Sequence, residues 1–156
     1  MSFDCPFFKT MLGGRQREKN NLEGSKMERD KRLIIITNNP MVRDEYSEKY
    51  QVDYEDISFE EILKKVRDKV YLGYQLLTHP LSGSVKPNET PYKSIMISSK
   101  PDKLDFNAME IIENAIHACG KFEFRSDKYA PQVYIDFQYV DHTLISSALQ
   151  SIDFLR

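Results

Sequence analysis

RLIIITNNP, residues 32–40, is the stretch that decides how the rest of the chain is read. Leu33 and three successive isoleucines form an apolar run without alternation, the pattern of a strand covered on both faces, as parallel sheets bury their strands. Asn38-Asn39-Pro40 ends the run abruptly. Asn39 suits a helix cap and Pro40 a first helical turn, and the following MVRDEYSEKY has helix-forming composition. Strand, tight loop and helix make the first half of a βαβ unit.

Working outward towards the C-terminus, the same alternation continues. Residues 51–55, QVDYE, read as a short second strand. Ser58 opens SFEEILKKVRDKVYLGY with Glu61 three positions later, matching a capping box. Ile62, Val66 and Val70, with Leu63 and Tyr71 beside them, recur at helical spacing, and Gly73 supplies the stop. The charge run KKVRDK, residues 64–69, alternates in sign and reads as the solvated face of that helix. YQLLT (74–78) is a third strand and SIMIS (94–98) a fourth. Residues 105–121 are helical, with Met109, Ile112, Ala115, Ile116 and Cys119 on one face, so Cys119 reads as packing rather than chemistry. APQVYIDFQYV alternates like a strand, yet Val133, Phe137, Val140 and Leu144 recur at helical spacing and Pro131 suits a helix start. The balance favours helix, with Asp141 or Thr143 capping a final turn-rich segment. The expected architecture is α/β, a three-layer sandwich with a mostly parallel, about four-stranded central sheet and strand one placed centrally.

Towards the N-terminus the pattern dissolves. TMLGGRQREKNNLEGSKMERDK, residues 10–31, mixes Gly-Gly, Asn-Asn and both charge signs without a period. Residues 1–30 are therefore read as a flexible or loosely docked arm, and 31–156 as a single α/β domain, a size that one core can serve.

Composition narrows the functional classes. The 156 residues are 40% hydrophobic and 29% charged, as a soluble globular protein requires, and the formal net charge is only −2. Nucleic-acid binding, which needs clustered Lys and Arg, is not expected. Nor is a membrane span, because no apolar run approaches the roughly 18 residues needed. No signal peptide is visible, and of the two cysteines, Cys5 and Cys119, neither belongs to a CxxC. A reducing cytoplasmic setting is the expectation. With no HExxH, GxxxxGK[ST] or GxGxxG, neither a metal nor a cofactor is expected.

In parallel α/β sheets ligands bind at the carboxyl ends of strands. Strand one exits as ITNNP and strand three as LTHP, so Thr37, Asn38, Asn39, Thr78 and His79 should gather at one rim. The loop that follows, LSGSVKPNETPYKS, adds Ser82-Gly83-Ser84, a turn able to aim backbone N–H groups at an anion, with Lys86 for charge and Asn88 for hydrogen bonding. Pro80, Pro87 and Pro91 stiffen it. The functional reading is a preorganised pocket for a small anionic metabolite; the plain reading is a structured connection whose side chains satisfy their own backbone. His79 is the candidate catalytic residue, as acid or base, although no GxSxG elbow surrounds Ser82 or Ser84 and nothing places a carboxylate beside it. Tyr92 and Lys93 either cover a ligand or pack at the rim.

ITNNP, KVRDKV and LLTHPLSGSVKPNETPYKSIMIS together resemble the GrdX family, small proteins encoded with glycine, sarcosine and betaine reductase components of amino-acid-fermenting anaerobes. The resemblance spans roughly residues 31–149. It implies a cytoplasmic accessory protein of a reductive fermentation whose main reductase produces an acyl phosphate, and it carries no catalytic residues across. Three roles follow as expectations: a metabolite-binding accessory protein, a small hydrolase or transferase acting on an acyl or phosphorylated metabolite, or an assembly factor holding reductase subunits through the aromatic C-terminal segment. A homo-oligomer is compatible with each.

Overall fold

A computed structural model describes residues 30–83 and 88–154. The expected N-terminal arm, and two of the candidate site residues, Ser84 and Lys86, lie outside them. The strands are β1 (Asp30–Thr37), β2 (Tyr50–Tyr54), β3 (Tyr74–Leu76) and β4 (Ser94–Pro101). The helices are α1 (Pro40–Tyr46), α2 (Phe59–Tyr71), α3 (Phe106–Cys119) and α4 (Pro131–Phe154). Among the described residues no helix is long and apolar enough to cross a membrane.

Local chemistry sets the helix starts, those of α1 and α2 as the sequence predicts. Asn39 caps α1 by accepting from the Met41 N–H, with Pro40 in the first turn. Ser58 and Glu61 form the reciprocal capping box of α2; Asp105, expected as the first residue of α3, instead caps it by accepting from two backbone N–H groups. Gly73, at φ +94, turns the chain from α2 into β3; a Cβ there would lie 2.5 Å from the Asp102 carbonyl oxygen, so a side chain is excluded on both counts.

The sheet has the order β2-β1-β4-β3, with β1 inside as expected. It is mixed rather than mostly parallel. β1 and β2 pair in parallel, but β4 runs antiparallel to both β1 and β3. The reason is that an unbroken apolar run reports burial on both faces and carries no information on direction. Ile95, Met96 and Ile97 of β4 are fully buried between two other strands, and this burial, not parallel pairing, wrote the SIMIS pattern.

Two apolar clusters form on opposite pleats of β1. Ile34 and Ile36 join Ile95, Ile97 and the apolar faces of α2 and α3. Leu33 and Ile35 join Met96, Val42 and Tyr46 of α1, and Ile145 and Leu149 of α4. Cys119 sits wholly inside the first cluster, where burial pushes its thiol up to about 11 and keeps it protonated at neutral pH. Tyr71, by contrast, is exposed and donates to Glu113 instead of joining the stripe.

The C-terminal segment is one continuous helix of 24 residues. Neither Asp141 nor Thr143 interrupts it. Asp141 turns inwards at mid-helix, and the Thr143 hydroxyl donates to the Tyr139 carbonyl one turn back, which satisfies the side chain without ending the helix.

Candidate functional site

Because β1 and β3 run the same way and β4 the opposite way, the ends of β1 and β3 meet the start of β4 at one edge of the sheet. Thr37 pairs with Ser94 across β1 and β4. The Leu77 N–H donates to the Met96 carbonyl, and the Thr78 hydroxyl accepts from the Met96 N–H at 2.9 Å, extending β3 by a side-chain bond. TNNP and THP therefore reach the same rim, with the entry to β4 between them.

Asp141 of α4 is buried beneath that rim and organises it. Its Oδ1 accepts from the Ser94 N–H at 2.9 Å; its Oδ2 accepts from the Ser94 hydroxyl at 2.7 Å and from Asn39 Nδ2 at 2.9 Å. The hydrogen order follows from the partners. Since the Ser94 proton goes to the carboxylate, the Thr37 hydroxyl donates to Ser94 Oγ at 2.7 Å, and Thr37 in turn accepts from the Asn39 N–H at 2.9 Å. Asn39 Nδ2 also donates to the Gln138 carbonyl and thereby ties α1 to α4. Asn38 Nδ2 donates to the carbonyls of Ile57 and Pro91, and its Oδ1 accepts from the Lys93 N–H at 2.7 Å. Thr37, Asn38 and Asn39 are thus committed to internal partners.

The loop residues divide differently. His79 is exposed, and its Nδ1 accepts from the Leu81 N–H at 3.1 Å, which closes a turn and leaves the hydrogen on Nε2. Gly83 has φ +73, and a Cβ on it would lie 2.3 Å from Leu144 Cδ1, so the glycine lets the loop lie against α4. Asn88 also has positive φ and donates to the Phe122 carbonyl at 2.9 Å. Ser82 contributes its carbonyl, which accepts from the Lys93 ammonium at 2.9 Å.

Lys93, expected from the sequence either to cover a ligand or to pack at the rim, is buried there. It is only 4% exposed. Among the described residues the Ser82 carbonyl is its one hydrogen-bond acceptor, and the Phe59 ring lies 6.0 Å away. Burial pulls its ammonium below the ordinary lysine value, opposed in part by the charge of Asp141. The side chain ends in a cleft between residues 78–83 and 89–93 on one side and α4 on the other. One lobe, about 150 Å³, is lined by Gly83, Thr90, Tyr92, Phe137 and Val140. The other, about 210 Å³, reaches Thr78, His79, Ser94 and Ala148. Ser82, Lys93, Asp141 and Leu144 belong to both lobes.

The signal for Asp141 was present in the sequence. Phe137, Asp141, Ile145 and Leu149 recur every fourth position, so an acid occupies one place of an apolar stripe. An acid in that position is buried and needs donors. The described residues contain no group of His, Cys, Asp and Glu able to hold a metal ion.

Fold and site together define a small α/β protein with a mixed sheet and, at the strand-end edge, a cleft that holds two buried charged side chains, Lys93 and Asp141. The chain matches the family model described as GrdX-like protein over residues 34–150, most of its length, and it belongs to that family. Neither a curated protein nor a solved structure matches it. Family membership suggests an association with glycine-reductase-related systems.

Proposed function

We propose that this chain is an accessory protein of a glycine-reductase-related system that binds a small carboxylate or other small anion in the cleft, with Lys93 as its counter-charge. The observation that carries this reading is the state of Lys93. Among the described residues this buried ammonium, with three hydrogens, has one neutral acceptor, and desolvation without a paired anion is costly. An incoming anion supplies both the missing charge and the missing acceptors. Asp141 does so only partly, since its oxygens already serve three donors.

Size limits the ligand. Each lobe is below the roughly 300–1,000 Å³ of drug-sized sites, so a metabolite of a few heavy atoms fits within either one. The apolar wall of Phe137, Val140 and Leu144 suits a short carbon chain. Isothermal titration with glycine, betaine and acetyl phosphate tests the reading. Heat of binding with at least one of them, abolished in Lys93→Met, is expected; no heat with any of the three would count against it.

The assembly reading has its own observation. Ile135, Tyr139 and Val140 in the first half of α4 are exposed, at 50%, 64% and 52%. Such a row suits a protein contact. Recovery of a reductase subunit with the wild-type chain, and its loss with Tyr139→Glu, would support that role.

A further inference from the structure

We infer that Lys93 captures carbonyl compounds: its amine condenses reversibly with the carbonyl carbon of a small 2-oxo acid in the cleft, giving an imine. This inference rests on the reading of the cleft as a small-carboxylate site and specifies which carboxylates it retains.

Three observations converge on the amine. One N–H is held by the Ser82 carbonyl, which fixes the direction of the nitrogen in a cleft whose lobes both include Lys93. Burial shifts the amine towards the neutral form, against the opposing charge of Asp141, and the neutral fraction is the one with a lone pair to donate; a desolvated lysine is the usual form of an imine-forming nucleophile. Phe137, Val140 and Leu144 form an apolar wall beside it, which suits the methyl group of a small 2-oxo acid.

The step balances without an oxidant or reductant. The lone pair attacks the carbonyl carbon, a C–N bond forms, and the C=O electron pair moves to oxygen. Nitrogen gives up a proton and oxygen takes one, producing a carbinolamine. Loss of water breaks the C–O bond and leaves C=N. The Asp141 carboxylate lines the cleft beside Lys93, but its oxygens already serve three donors, so the proton passes from nitrogen to oxygen by way of solvent. The protonated imine keeps a positive charge next to the ligand's own carboxylate, so the electrostatic match to the anion persists after condensation.

The full-length chain is incubated with pyruvate and sodium cyanoborohydride, and the reduced adduct is located by peptide mass spectrometry, with pyruvate binding followed in parallel by calorimetry. A single adduct on Lys93 is expected, suppressed by excess acetate, which occupies the cleft but has no ketone to condense; adducts on exposed lysines should be unaffected by acetate. Pyruvate heat without an adduct at Lys93 would overturn the imine while leaving the carboxylate site intact. Neither heat nor adduct would remove both. Adducts confined to exposed lysines would likewise overturn the inference, because the buried amine would then be out of reach of the carbonyl.

Discussion

Asp141 and Lys93 are two buried charges at the same edge of the sheet, and their surroundings differ. The carboxylate accepts from three donors on two other elements, and its nearest hydroxyls form an ordered chain from Asn39 through Thr37 and Ser94. Among the described residues the ammonium has one acceptor, a backbone carbonyl. A charge supplied with its full set of partners holds a structure together, whereas one kept short of partners is free to serve something that arrives later. Asp141 therefore reads as the rivet that fixes α1, β4 and α4, and Lys93 as the group available for a ligand.

Substitutions that exchange these roles would break the comparison. The largest effect is expected for Asp141→Ala, which leaves the Ser94 N–H, the Ser94 hydroxyl and the Asn39 amide short of an acceptor in the interior. Loss of about 3–5 kcal/mol is expected, as for breaking a buried charged network, with Tm lower by on the order of 10 °C. Denaturant unfolding checks it, and a cost near zero would show that Asp141 is not structural.

Thr37→Val removes one link of the same chain and should cost about 1–3 kcal/mol, because the Asn39 N–H then loses its acceptor. Lys93→Met should go the other way. It replaces an under-partnered ammonium by an apolar chain of similar shape, so stability rises by about 1 kcal/mol while anion binding disappears. The pH dependence has a definite sign. The folded-state value of Lys93 lies below its unfolded value, so between the two the unfolded chain binds more protons and Lys93 lets stability rise with pH on the alkaline side. Lys93→Met should remove that rise, which urea unfolding at several alkaline pH values would detect. Smallest of all, Tyr139→Glu should change stability by no more than about 0.5 kcal/mol, since the ring is exposed.

How much of this was legible in the sequence depended on whether the determinant was local. Asn39-Pro40, Ser58 with Glu61, and Gly73 act within a few residues, and each does in the structure what its position predicts. The direction of β4 depends on a pairing made across the sheet, which the continuous Ile-Met-Ile run does not encode. The site divides in the same way. That TNNP and THP share a rim follows from strand direction, but whether Asn39 is free depends on Asp141, 102 positions away. Asp141 looked like a cap because acids often begin helices; its place in the Phe137–Ile145–Leu149 stripe was the clue to burial. Lys93 lacks any such clue, since nothing in PYKS distinguishes a buried lysine from a surface one.

The most direct test is to follow the Lys93 side chain by NMR, reading its ε-carbon shift against pH with and without a saturating small carboxylate such as acetate. An anion favours the charged form, so the titration midpoint should start below that of surface lysines and move up on binding, with protons taken up in between. A midpoint that stays in place while the carboxylate is bound would contradict the claim that Lys93 receives it.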